Sequence, residues 1–173
     1  MPMNIKHPIG LRHRVAGYAL LEALIAVIVA AVGFIGAARM QTFGMQLSSS
    51  AQSRQKASLL GYQITDRIRA NQQGFALGKY NDPGTGGPTT CLATGCAPDE
   101  LAGADVAQWL KEISEQLPSG QGKICVDSTP DDDPKASPAD WKCDGIGKVL
   151  AVKVAWVDRV GAAPTVFVTV VRP

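Results

Sequence analysis

Histidine disappears from this chain after position 13. Its only two copies are His7 and His13, so nothing downstream can carry histidine acid–base chemistry or a histidine-ligated metal. Acidic residues are missing at the start: none precedes Glu22, whereas Lys6, Arg12 and Arg14 are already in place. Net charge is nearly absent as well. Seventeen basic residues stand against 15 acidic ones, a formal +2, and that balance makes no case for a nucleic-acid partner. Proline is missing between Pro8 and Pro83, which removes the commonest helix breaker from the whole intervening stretch. No internal repeat is visible, and Gly145-Ile146-Gly147-Lys148 lacks the spacing of a phosphate-binding loop. The 173 residues leave room for one domain plus an extension, since a domain takes ~100–150 residues.

What is there is dominated by residues 18–38, YALLEALIAVIVAAVGFIGAA, in which Glu22 is the only charge. As a helix this run would extend ~31 Å, matching a bilayer core of ~30 Å. A buried helix of a soluble domain would rarely be apolar all round over such a length. A cleaved secretory signal would usually have an apolar part of ~7–15 residues followed by an A-x-A-like site, and this run is longer. The reading is therefore a membrane span. The basic residues before it hold the N-terminus in the cytoplasm and send the C-terminal body across the membrane.

Glu22 needs a partner there, because a carboxylate in an apolar span costs on the order of 2.5–3.5 kcal/mol on insertion scales. No Lys, Arg or His lies between residues 15 and 38. A cut after Gly17 would create an α-amino group on Tyr18, and that amine on one subunit could meet Glu22 of the next. The plainer alternative is a carboxylate that snorkels to the interface or is protonated. Removing residues 1–17 would take away Lys6, Arg12 and Arg14; 17 basic residues less these three leaves 14 against 15 acids, so the mature chain would be close to neutral.

Gly17-Tyr18-Ala19-Leu20-Leu21-Glu22 resembles the type IV prepilin cleavage motif, usually Gly followed by Phe-Thr-Leu-Ile-Glu. Tyr18 stands where the family commonly has Phe and keeps the aromatic ring. The resemblance implies cleavage between Gly17 and Tyr18 by a prepilin peptidase, N-methylation of Tyr18, and a charge-neutralising role for Glu22 in assembly. Met1 and Met3 are both candidate initiators. Within the superfamily, Asp66-Arg67-Ile68-Arg69-Ala70-Asn71 and Ala107-Gln108-Trp109 are similar to the PilV type of minor pilin, or pilus modification protein. This similarity implies a scarce subunit that primes assembly with other minor pilins and the major pilin and helps display a tip adhesin.

The helix is expected to continue through residues 39–73. Phe43, Leu47, Ala51, Ala57, Leu60, Ile64 and Ile68 form one stripe among polar residues, so this half reads as amphipathic, with Gly74 as its stop. From residue 18 to residue 73 such a helix measures ~84 Å, more than an ordinary domain of this size accommodates. Gly33 and Ala37 have the small-xxx-small spacing that lets membrane helices approach closely, although glycine is also simply tolerated in such helices.

Residues 74–173 read as an exported globular body. Residues 74–98 carry turn chemistry (NDPGTGGPTT). Residues 99–117 form a helix with Val106, Trp109, Leu110, Ile113 and Leu117 on one face. Residues 123–127 are a short strand, and 148–158 and 165–172 are longer β-branched strands joined as an antiparallel hairpin. The fold class is α+β, a long N-terminal helix packed on a small antiparallel sheet, as the pilin resemblance also implies.

Cys91, Cys96, Cys125 and Cys143 all follow the span, and an even count suits disulfides in an oxidising periplasm. Three pairings are open; Cys91–Cys96 with Cys125–Cys143 is favoured because neither loop crosses the other. Zinc fits less well, since C-x4-C and C-x17-C miss the usual paired spacing. Asp127, Asp131, Asp132 and Asp133 lack the calcium-loop spacing and its closing Glu, and read as a solvated acidic turn. No metal, no cofactor and no catalytic residue is expected. The leading expectation is a minor pilin. A minor pseudopilin of a type II secretion system shares its N-terminal motif, and a single-pass sensor or anchored enzyme is the more distant alternative.

Overall fold

The computed structural model describes residues 16–130, 137–159 and 161–172. Lys6, His7, Arg12, His13 and Arg14 lie outside the described residues, as do Asp131, Asp132 and Asp133. The protein divides into two units, one ending at Gln46 and the other comprising Leu47–Pro173. Helix α1 (Ala16–Ala70) contributes to both.

In the second unit, α1 buries Ala57, Leu60, Ile64 and Ile68 completely. These positions fall three or four apart, so their side chains share one face. The expected stripe is shorter than its sequence pattern. Phe43, Leu47 and Ala51 are exposed, and among the described residues burial on α1 begins at Ser53. Periodicity marks a face that can be covered; it does not say how far the covering layer reaches.

The end of α1 also differs from expectation. The helix stops at Ala70 rather than at residue 73, because Asn71 leaves helical geometry (φ −100°, ψ 64°) and its side chain accepts from the Gly74 N–H at 3.0 Å. That local bond competes with helix continuation and starts a new short helix, α2 (Gln72–Ala76). Gly74 is therefore a packing residue rather than a stop: a Cβ there would lie 2.7 Å from the Pro98 carbonyl oxygen.

A 3-10 turn (Thr90–Ala93) precedes α3 (Pro98–Gln116). Pro98 opens α3 where a missing N–H costs nothing, and the Glu100 side chain accepts from the Ala97 N–H at 3.1 Å. Val106, Trp109, Ile113 and Leu117 are buried on one face, with Leu110 half-buried beside them. The Trp109 indole N–H donates to the Leu60 carbonyl at 2.9 Å, tying α3 to α1.

Strands β1 (Gln121–Val126), β2 (Leu150–Trp156) and β3 (Thr165–Val171) form one antiparallel sheet with β2 in the centre. Leu150, Val152, Val154 and Trp156 alternate onto the helix side and join the core with Leu60, Ile64, Ile68, Trp109 and Ile113. Gly122 keeps β1 close to α3, since a Cβ there would meet the Trp109 ring at 2.6 Å. The fold is α+β, a long N-terminal helix with a small three-stranded antiparallel sheet.

Candidate assembly segment and the body behind it

Gly17 and Tyr18 occupy the first turns of α1, so the expected cleavage bond lies inside the helix rather than before it. Tyr18 is 78% exposed. Glu22 follows one helical turn later, on the same side as Tyr18, and is also exposed. Leu20, Leu21, Leu24, Ile25, Val29 and Phe34 point outward around the whole circumference. A Cβ placed on Gly33 or Gly36 would touch nothing within 4 Å. The helix Tyr18–Ala70 is long and apolar enough to cross a membrane. Each of its large apolar side chains would be worth ~1.5–3 kcal/mol if buried, so this surface is suited to lipid or to other helices rather than to water.

The cysteines lie in the second unit. Cys91 and Cys96 are bonded across the 3-10 turn, with Cα atoms 4.8 Å apart. Cys125 is bonded to Cys143, with Cα atoms 6.2 Å apart. Ile124 faces the core, so Cys125, its neighbour along the strand, faces the opposite side of the sheet. Its disulfide ties the segment around Cys143 against that back face.

Asp127 is not part of a solvated acidic turn. It is buried beside Lys153, the central residue of β2. Lys153 Nζ also donates to the carbonyls of Trp141 (2.8 Å) and Lys142 (3.4 Å). Ala151, Lys153 and Ala155 are all buried on the back of the sheet, and the stretch that contains Trp141 and Cys143 closes over Lys153 there. A lysine among seven strand residues looks like a solvent-facing position in sequence. The only warning was that VLAVKVAWV (149–157) is otherwise apolar on both faces, as in a strand covered on both sides.

A second buried polar group was not foreseen. The Tyr80 hydroxyl donates to Asp105 Oδ2 at 2.7 Å, and Asn71 Nδ2 donates to the Tyr80 oxygen (3.2 Å) and the Pro98 carbonyl (2.6 Å). Burial raises the Asp105 carboxyl above its ordinary value, partly opposed by the Tyr80 hydrogen bond and the Arg67 charge. Burial likewise raises the Tyr80 phenol. The cluster joins the end of α1 to α3. Among the described residues, no group of three or more His, Cys, Asp or Glu is gathered as a metal site.

Comparison of the chain with protein-family models, with curated proteins and with solved structures finds no match.

Proposed function

We propose that this chain is a minor pilin of a type IV pilus, acting through helix packing rather than catalysis. The observation that carries the reading is the segment after Gly17: an apolar helix whose large side chains are exposed on every side among the described residues and whose one charge, Glu22, lies one turn from Tyr18. In this reading a prepilin peptidase removes residues 1–17. The mature chain waits in the inner membrane as a single-pass protein with its body in the periplasm. It then enters the filament on the cell surface, where its helix packs with other minor pilins and the major pilin and supports a tip adhesin. The subunit needs no cofactor and no nucleic acid for this role.

Intact mass and N-terminal sequencing of protein extracted from membranes test the reading. A mature chain beginning at methylated Tyr18 is expected. A chain retaining residues 1–17 would instead indicate an anchored sensor or enzyme. A deletion strain then distinguishes the two filament systems: loss of twitching motility marks a pilus, and loss of enzyme secretion marks a type II pseudopilus.

A further inference from the structure

The two edges of the sheet are finished differently. The outer edge of β1 is covered: the Asp82 N–H donates to the Ile124 carbonyl at 3.0 Å, and Asn81 Oδ1 accepts from the Val126 N–H at 2.9 Å. Lys123 adds a charge to that edge and pairs with Asp82. Among the described residues, the outer edge of β3 has none of this. β3 pairs only with β2, and among the described residues no backbone bond from outside the ladder reaches Thr165–Val171. Its sequence, TVFVTVV, has no charge, no proline and no glycine. Folded proteins usually protect such an edge with charge, proline, a bulge or a covering segment. Six of its seven residues are only half-buried.

The surroundings of this edge point to an occupant. On the helix side, Phe167 meets Tyr62 edge-on, with ring centroids 5.8 Å apart, and Tyr62 is still 55% exposed. At the C-terminal end of β3, an apolar groove of about 370 Å³ is floored by Ile68, Phe75 and Val171 and bordered by Arg69 and Arg172. Among the described residues, Arg69 has a single loose ion pair, 3.5 Å to Asp66, on exposed side chains. A strand laid along β3 would satisfy its outward N–H and C=O groups. It would also lie against Tyr62 and Phe167 and deliver its end to the two guanidinium groups.

We propose that the free edge of β3 is the docking site for an extended segment of another polypeptide. That segment adds a fourth strand and carries an acidic residue at the end that meets Arg69 and Arg172. Main-chain bonding supplies the pairing, alternate β-branched side chains supply the fit, and the carboxylate sets which end lies at the groove. This inference rests on the body alone and does not require the pilus reading.

The test uses the full disulfide-bonded chain in detergent micelles and a synthetic seven-residue peptide of alternating Thr and Val, preceded by Asp. Hydrogen exchange should show the outward-facing alternate amides of Thr165–Val171 slowed by the peptide at least tenfold, with those of β1 unchanged. Replacing the peptide's Asp with Lys should weaken binding about tenfold, and that discrimination should vanish in Arg69→Ala/Arg172→Ala. N-methylating alternate peptide amides, in either phase, leaves the side chains intact and should abolish binding in the phase that faces β3. Equal binding by both N-methylated peptides, protection mapped elsewhere, or no protection at millimolar peptide would overturn the proposal. Protection of β3 that grows with the concentration of the chain alone would overturn the acidic occupant in favour of a second copy.

Discussion

Lys153 Nζ stands 2.5 Å from Asp127 Oδ2, with both side chains at least 98% buried. The two residues are 26 positions apart, one at the centre of β2 and the other just past the end of β1. The carbonyls of Trp141 and Lys142 complete the shell of the ammonium group, so the ion pair fastens the segment behind the sheet at the same place as the Cys125–Cys143 bond.

Breaking this pair from one side should be far worse than removing it altogether. Asp127→Ala leaves a buried ammonium without its counter-charge and should cost about 3–5 kcal/mol. Asp127→Leu/Lys153→Met removes both charges and should recover most of that loss. Urea denaturation of a fragment beginning near residue 45 measures both. A double variant as unstable as the single one would mean that the pair matters through its shape rather than through its charge.

Asp105 supplies a pH signature. Burial raises its folded carboxyl above the unfolded value of 3.8, so between those two values the folded state binds more protons than the unfolded state. Stability contributed by this group is therefore highest below 3.8, falls as pH rises through the folded value, and stays low at neutral pH. Asp105→Asn keeps an acceptor for the Tyr80 hydroxyl and removes the buried charge. Its stability relative to the parent should improve as pH is raised from 3 to 7, as read from denaturation midpoints across that range. A difference independent of pH would show that Asp105 is not a strained carboxylate.

The two disulfides should contribute unequally. In the chain-entropy picture the loop of sequence separation 18 contributes about 3 kcal/mol and that of separation 5 about 2 kcal/mol. Cys125→Ser should therefore lower the melting temperature more than Cys91→Ser, and it also loosens the cover over Lys153. Peptide mapping of the unreduced protein checks the connectivity itself: a peptide joining Cys91 to Cys125 or Cys143 contradicts it.

Gly17 and Glu22 should separate processing from assembly. Gly17→Val should accumulate precursor, visible as a larger membrane species. Glu22→Ala should be cut and inserted normally, because losing a charge from the apolar run makes insertion easier, yet it should enter sheared filaments several-fold less. Undiminished incorporation of Glu22→Ala would remove the proposed pairing between Glu22 and a neighbouring α-amino group.

The sequence by itself determined the features that repeat over short distances. The uncharged run after Tyr18, the spacing of Ala57, Leu60, Ile64 and Ile68, the face of Trp109 and Ile113, and the β-branched strands around Val152 and Val168 are local periodicities. A chain with those patterns has few ways to bury them, so the α+β class followed. Tertiary structure alone decided what depends on residues meeting from afar. Leu47 and Ala51 continue the stripe yet stay uncovered, because coverage within the body is set by where α3 and the sheet lie. Asn71 ends α1 by bonding to Gly74, a choice between two local structures that the packing of Gly74 against Pro98 helps to tip. Asp127 and Lys153 look like ordinary surface charges until β1 and β2 pair. Only then does the chain behind the sheet close over them, and burial turns two unremarkable residues into a pair that neither can leave alone.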